Sequence, residues 1–151
     1  MKTRATYLSK GLSFVLALFS LAWLGTTAAR ADPPATIANC AGIKDAYPIL
    51  GTQCTTAYAK ISHAPADADE RLASFNARVS VLTLFRKALL CNGMFGASSQ
   101  VQQRFKSGEQ GHLDQVDQLR NSMVANHDPN VPAAVTQQDL NQISIRKQQC
   151  K

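Results

Sequence analysis

Aromatic side chains are scarce in this chain, and the short motifs that carry most small-protein chemistry are missing from it. Only 7% of the 151 residues are aromatic, and the one tryptophan, Trp23, falls near the N-terminus. The four cysteines are spaced 14, 37 and 59 residues apart, with no Cys-x-x-Cys. This argues against a thioredoxin-like redox pair, a c-type haem attachment and a zinc ribbon, since each needs two sulfurs brought together by a short turn. None of His63, His112 and His127 stands three or four residues from another His or Cys, the spacing that puts two metal ligands on one helix face. Gly93-Met94-Phe95-Gly96 has neither the spacing of a phosphate-binding loop nor the Lys-Ser/Thr that follows one. Internal repeats are absent, and glutamine enrichment from Gln100 onward is the only compositional bias; it supplies uncharged polar helix faces. With 45% apolar residues in 16.3 kDa, the chain has room for one domain, not for a multidomain enzyme or a channel.

The N-terminus has the three-part order of a bacterial export signal. Lys2, Arg4 and Lys10 precede an apolar stretch from Leu12 to Leu24 broken only by Ser13 and Ser20, and small residues then lead to Ala29-Arg30-Ala31. The apolar run is nearer 13 residues than the roughly 20 that a bilayer-spanning helix needs. We therefore read residues 1–31 as a signal peptide cleaved after Ala31, with Thr27-Ala28-Ala29 offering a second register two residues earlier. Cys40 stands too far from the apolar run for a lipoprotein anchor. Residues 32–151 then form a single domain in the periplasm, with secretion into the medium as the alternative. Four of the sixteen basic residues leave with the leader, so the formal charge falls from +6 to +2 and a nucleic-acid reading loses its main support.

All four cysteines, Cys40, Cys54, Cys91 and Cys150, lie in that domain, and an even number in an oxidising compartment is read as two structural disulfides. Apolar periodicity predicts an all-α fold, a small bundle of four to five helices. Ile37, Cys40, Ile43 and Tyr47 mark a first helix ended by Pro48, and Leu50, Cys54, Tyr58 and Ile61 mark a second ending near His63. Asp67, Asp69 and Glu70 suit the N-terminus of a long central helix with Leu72, Phe75, Val79, Leu82 and Leu89 on its stripe, closed at Asn92-Gly93. The apolar, β-branched segment from Val79 to Phe85 also admits a strand, but the charges at both ends favour helix. Ser98 or Ser99 opens a fourth helix expected to break or kink near Gly108. Thr136 with Asp139 resembles a capping box for a last helix carrying Leu140, Ile143 and Cys150. Antiparallel packing of these helices brings Cys40 to Cys54 and Cys91 to Cys150.

The residues offer no catalytic set. Ser144-Ile145-Arg146-Lys147 matches Ser-x-x-Lys, in which a lysine one turn along deprotonates the serine, but the companion Ser-Asp-Asn and Lys-Thr-Gly motifs are absent. Asp67 and Glu70 are explained by the helix dipole, and Arg78, Arg86 and Lys87 are too few and too mixed with apolar positions to track a phosphate backbone. The three histidines read as solvated or helix-capping groups. What remains is recognition: a small, rigid, exported domain that binds another envelope or secreted protein, as an inhibitor or immunity-type protein does, or as an accessory of a secretion, conjugation or surface assembly. Phe95 and Phe105 flank the Gly96–Ser99 connection and are the candidate interface anchors, with core packing as their competing role. The alternative function is a small-ligand or metal carrier with His112 or His127 as ligands in a cavity between helices. An enzyme ranks third, and no cofactor is expected.

Overall fold

The computed structural model describes residues 35–96 and 98–151; the leader, the cleavage site, Trp23 and the Asp32-Pro33-Pro34 segment lie outside them. The described chain forms α1 (Ala35–Ala46), α2 (Pro48–Tyr58), α3 (Ala68–Phe95), α4 (Ser99–Ala125), α5 (Gln137–Gln142) and a final 3-10 turn, Lys147–Cys150, with no strand among the described residues. It is an all-α bundle, and Val79–Phe85 lies inside α3.

Pro48 occupies the first position of α2, where a missing N–H costs nothing because that group has no intrahelical acceptor. One residue, Tyr47, separates α1 from α2, and the two helices fold back as a tight hairpin. Gly51 makes the close approach possible: a Cβ there would stand 2.1 Å from Lys44 Cα. The α2 helix stops at Tyr58, five residues short of the expected His63. The chain then tightens, with the Lys60 and Ile61 N–H groups donating to the carbonyls of Ala57 and Tyr58, and Ile61 turns into the core.

Asp67 caps α3 by accepting the Glu70 N–H at 2.8 Å, while Glu70 accepts the Ala66 N–H at 2.8 Å. The expected stop at Asn92-Gly93 is not used. Asn92 turns its side chain into the protein, Gly93 stays helical, and α3 continues one turn to Phe95 before Gly96, at φ 66°, ends it in the left-handed conformation that lacks a penalty only for glycine. Ser98 caps α4, which runs unbroken through Gly108 and Gly111. The helix does not break there, and Gly108 serves packing: α3 and α4 are antiparallel, and a Cβ on Gly108 would stand 2.3 Å from Phe85 Cε1.

Thr136 and Asp139 form the expected capping box at α5, with the Asp139 carboxylate accepting from the Thr136 N–H at 2.8 Å. The helix they start is shorter than expected. It ends at Gln142, and residues 143–146 are extended before the 3-10 turn. The physical reason is visible in the burial: Ile143 and Ile145 are half-buried while Ser144 and Arg146 are exposed, a period-two pattern that a helix would scatter around its circumference. Ile143 packs in one apolar cluster and Ile145 in the other, so the extended segment links the two.

The α3–α4 hairpin is the centre of the molecule. The α1–α2 hairpin packs on it through Ile43, Tyr47, Leu50 and Cys54 against Val81, Leu84, Phe85 and Phe105. The C-terminal segment covers a second apolar surface of the same hairpin, with Val131, Val135 and Leu140 against Phe75, Leu82, Val116 and Met123. Both disulfides pair as the antiparallel layout requires, Cys40 with Cys54 and Cys91 with Cys150, each at a Cα–Cα distance of 5.6 Å.

Candidate functional site

The end of the bundle formed by the α3–α4 turn carries Met94 and Phe95, two of the four large apolar side chains exposed among the described residues; Ile49 lies near the start of α2 and Val124 near the opposite end. Met94 and Phe95 occupy the last turn of α3 and are 43% and 51% exposed. Phe95 lies one helical turn beyond Cys91, so the Cys91–Cys150 bridge delivers the C-terminal 3-10 turn beside it. That turn, which packs against both α2 and α3, places Lys147 Nζ 5.5 Å from the centre of the Phe95 ring, within cation–π range. Ile49, half exposed, follows Pro48 at the start of α2, next to Tyr47, whose ring lies 6.3 Å from that of Phe105.

Charge divides along the same axis. Above the Phe85–Gly108 contact, the α1–α2 turn, the upper parts of α3 and α4 and the C-terminal tail carry seven Lys and Arg side chains against Asp45 alone, once Arg86 and Glu109 are paired with each other. Toward the opposite end, the lower parts of α3 and α4, their flanking turns and α5 hold seven acidic side chains against four basic ones. The upper end therefore combines exposed apolar side chains with an excess of cations.

Several other charged groups are committed to the fold. Arg86 donates to the Leu140 carbonyl at 3.1 Å and to Asn141 Oδ1 at 2.7 Å, and its Nη1 lies 3.8 Å from Glu109 Oε2. It thereby ties α5 to the α3–α4 hairpin. Arg78 is buried and donates to Gln115 Oε1 across the same hairpin. At the far end, Arg71 grips Asp128 with two hydrogen bonds of 2.7 and 2.6 Å. Those bonds hold the Asp128 carboxyl below the usual carboxylate range and raise the Arg71 guanidinium above its ordinary value. Asp139 is likewise lowered, by the hydrogen bonds from Thr136. A shallow hollow between Leu72, Met123 and Pro129 is too small for a ligand larger than water.

Several sequence-predicted residues take other places. His112 is not solvated: at 1% exposure it packs against the Phe85 ring, with centroids 5.1 Å apart, and meets Tyr58 edge-on at 6.4 Å. His127 is exposed beyond the end of α4 at φ 54°, and His63 is exposed in the α2–α3 connection. His112 and His127 are thus separated by more than three turns of helix, and the structure does not gather them into one ligand set. Among the described residues no group of three or more His, Cys, Asp or Glu side chains is placed to hold a metal ion, and no helix is long and apolar enough to cross a membrane. Ser144 sits in the extended segment, not one helical turn from Lys147, so the Ser-x-x-Lys geometry is not formed. Asp67 and Glu70 cap α3 as the dipole argument requires.

Of the two candidate anchors, Phe95 is presented and Phe105 is not. Phe105 is 2% exposed and packed in the core, so it could meet a partner only if the core opened. Sequence reasoning missed Met94, Ile49 and Lys147 as parts of this surface. A signal for the first existed: Met94-Phe95 immediately before the helix-ending Gly96 puts two large apolar side chains at a helix terminus.

Comparison with known protein families, curated proteins and solved structures returned no match.

Proposed function

We propose that this chain is an exported recognition domain that binds another protein of the cell envelope, or a secreted one, through the end that presents Phe95. One observation carries the reading. Phe95 and Met94 stay about half exposed at the tip of a helix whose other large apolar side chains are buried or half-buried, and they sit within one turn of a disulfide. Aromatic and Met side chains concentrate binding energy when a partner's pocket desolvates them, and bracing reduces the ordering cost of doing so. The two disulfides fit an oxidising compartment, the periplasm or alternatively the external medium. Inhibition or immunity toward a lytic protein and a role as an accessory of a secretion, conjugation or surface assembly are the jobs such a surface serves.

Native mass spectrometry of protein purified from the periplasm of its source cells tests this. A retained protein partner, lost in the Phe95→Ala variant with both disulfides intact, is the expected result. A partner retained equally by the variant would move the interface elsewhere, and a stoichiometric small molecule or metal in place of a protein would replace the reading with the carrier function.

A further inference from the structure

We infer that the surface docking onto the Phe95 end is an acidic protein surface with an apolar hollow at its centre. This rests on the function proposed above and names the chemistry of the partner. The apolar element is small and convex: Met94 and Phe95 at the tip of α3, with Ile49 near the start of α2. The same half of the bundle carries seven cations, of which Lys147 lies over the Phe95 ring, against Asp45 once Arg86 and Glu109 are paired, while the opposite end of the molecule is net acidic. A charge distribution split this way orients the domain as it approaches an anionic surface, because the field that attracts one end repels the other.

An anionic bilayer is the other surface with that chemistry, and two features argue for protein instead. Met94 and Phe95, each about half exposed, offer less apolar surface than a myristoyl chain, which by itself attaches a protein to a membrane only marginally. The fold also sets where the central cation is anchored: Lys147 belongs to a 3-10 turn joined to α3 by Cys91–Cys150, and its ammonium lies over the Phe95 ring. A cation and an aromatic ring held in constant relation suit a carboxylate beside a pocket at a constant spacing, a demand that a protein surface meets and a fluid headgroup layer does not.

The test is site-specific photo-crosslinking in the source cells, with p-benzoylphenylalanine replacing Phe95 in the full chain and, as a control, replacing Val124, which is exposed near the opposite end. The expected result is a protein adduct at position 95 and not at 124, mapping to a partner segment rich in Asp and Glu. Its yield should fall roughly tenfold between about 0.1 and 1 M salt, where the screening length shrinks from about 10 to about 3 Å. Lys147→Glu should lower the yield by about fivefold, the upper value of one exposed ion pair. That variant must retain both disulfides and the parental melting temperature. An adduct at 95 that maps to a neutral or basic segment, or whose yield ignores salt, overturns the acidic partner and leaves the proposed recognition function standing. A lipid adduct, or co-sedimentation with vesicles of phosphatidylglycerol and phosphatidylethanolamine in equal parts, replaces the protein with a membrane. Adducts at 124 alone, or at neither position, overturn both readings.

Discussion

Replacing Gly108 by alanine measures how tightly α3 and α4 are packed. In an ordinary helix interior the change from glycine stabilises by about 1 kcal/mol, because alanine loses less backbone entropy on folding. At Gly108 the new Cβ would stand 2.3, 2.7 and 2.9 Å from three atoms of the Phe85 ring, which is fully buried and packed against His112. Phe85 has nowhere to swing, so the methyl is accommodated by helix separation or off-rotamer side chains, at about 1 to 3 kcal/mol. The net expectation is between no change and a loss of about 2 kcal/mol. Gly111, on the exposed side of the same helix, supplies the control: nothing lies within 4 Å of its Cβ position, so Gly111→Ala should stabilise by about 1 kcal/mol. The difference between the two variants isolates the packing cost. For a domain of this size it corresponds to a gap of about 4 to 12 °C in melting temperature, read by circular dichroism on disulfide-intact protein. Combining Gly108→Ala with Phe85→Leu should recover part of the loss, since the two positions touch. If Gly108→Ala raised the melting temperature as much as Gly111→Ala, the close approach of α3 and α4 would be wrong.

Gly51→Ala should cost more than Gly108→Ala, because the atoms its Cβ meets include the Lys44 backbone, which cannot rotate aside; urea midpoints of the two variants give the comparison. Removing Cys91–Cys150 by a double serine substitution should cost about 4 kcal/mol and removing Cys40–Cys54 about 3, from the lengths of the loops they close; equal or inverted losses would count against the chain-entropy account. Thr136→Ala should cost about 1 kcal/mol and speed amide exchange in α5, where the lost cap lies. Asp128 and Asp139 have carboxyl pKa values below ordinary in the folded state. They therefore contribute stability that is fully present above the unfolded value near 4 and is lost as pH falls through the lowered native values. Asp128→Asn should flatten that acid limb of a denaturation series, and an unchanged limb would show that the Arg71 pair does not contribute.

What could be read in the sequence was what neighbours in sequence decide. Pro48, the Asp67 cap, the Thr136–Asp139 box and the apolar stripe of α3 act within one or two turns, and each lies where the pattern puts it. The disulfide pairing was legible because helix lengths and an antiparallel layout leave few ways to bring four sulfurs together. Gly108 was misread because its role depends on Phe85, twenty-three positions earlier, and a helix-breaking glycine and a helix-packing glycine look alike in sequence. His112 was misread for the same reason: its burial depends on Phe85 and on Tyr58 at the far end of α2. Leu140 and Ile143, three residues apart, fit one helix face, and the Ile143–Ile145 alternation that ends the helix is decided only by packing and by the reach of Cys150 to Cys91. The candidate surface was half legible, since only packing decides that Phe105 enters the core and Phe95 does not.

The same packing explains why a chain this short in aromatics can afford to leave one outside. Of the six aromatic residues beyond position 31, Tyr47, Phe75, Phe85 and Phe105 fill the two apolar clusters, and Tyr58 closes one of them from the edge. Phe95 is withheld, although Cys91, one turn before it on the same helix, is completely buried. Cys91 and Phe95 follow each other at helical spacing, as do Cys150 and Lys147 on the facing turn, so the disulfide and the cation–π contact are successive rungs between the same two elements. The covalent rung sets the spacing and the weaker rung inherits it. A long side chain such as Lys147 ordinarily gives up about 0.5 to 1.5 kcal/mol of rotamer freedom when a partner immobilises it, and anchoring its backbone and resting its ammonium over an aromatic ring removes part of that cost in advance. A bridge needed only to close a loop could have met α3 at any turn; placed one turn below Phe95, it also holds the exposed ring and its cation in register.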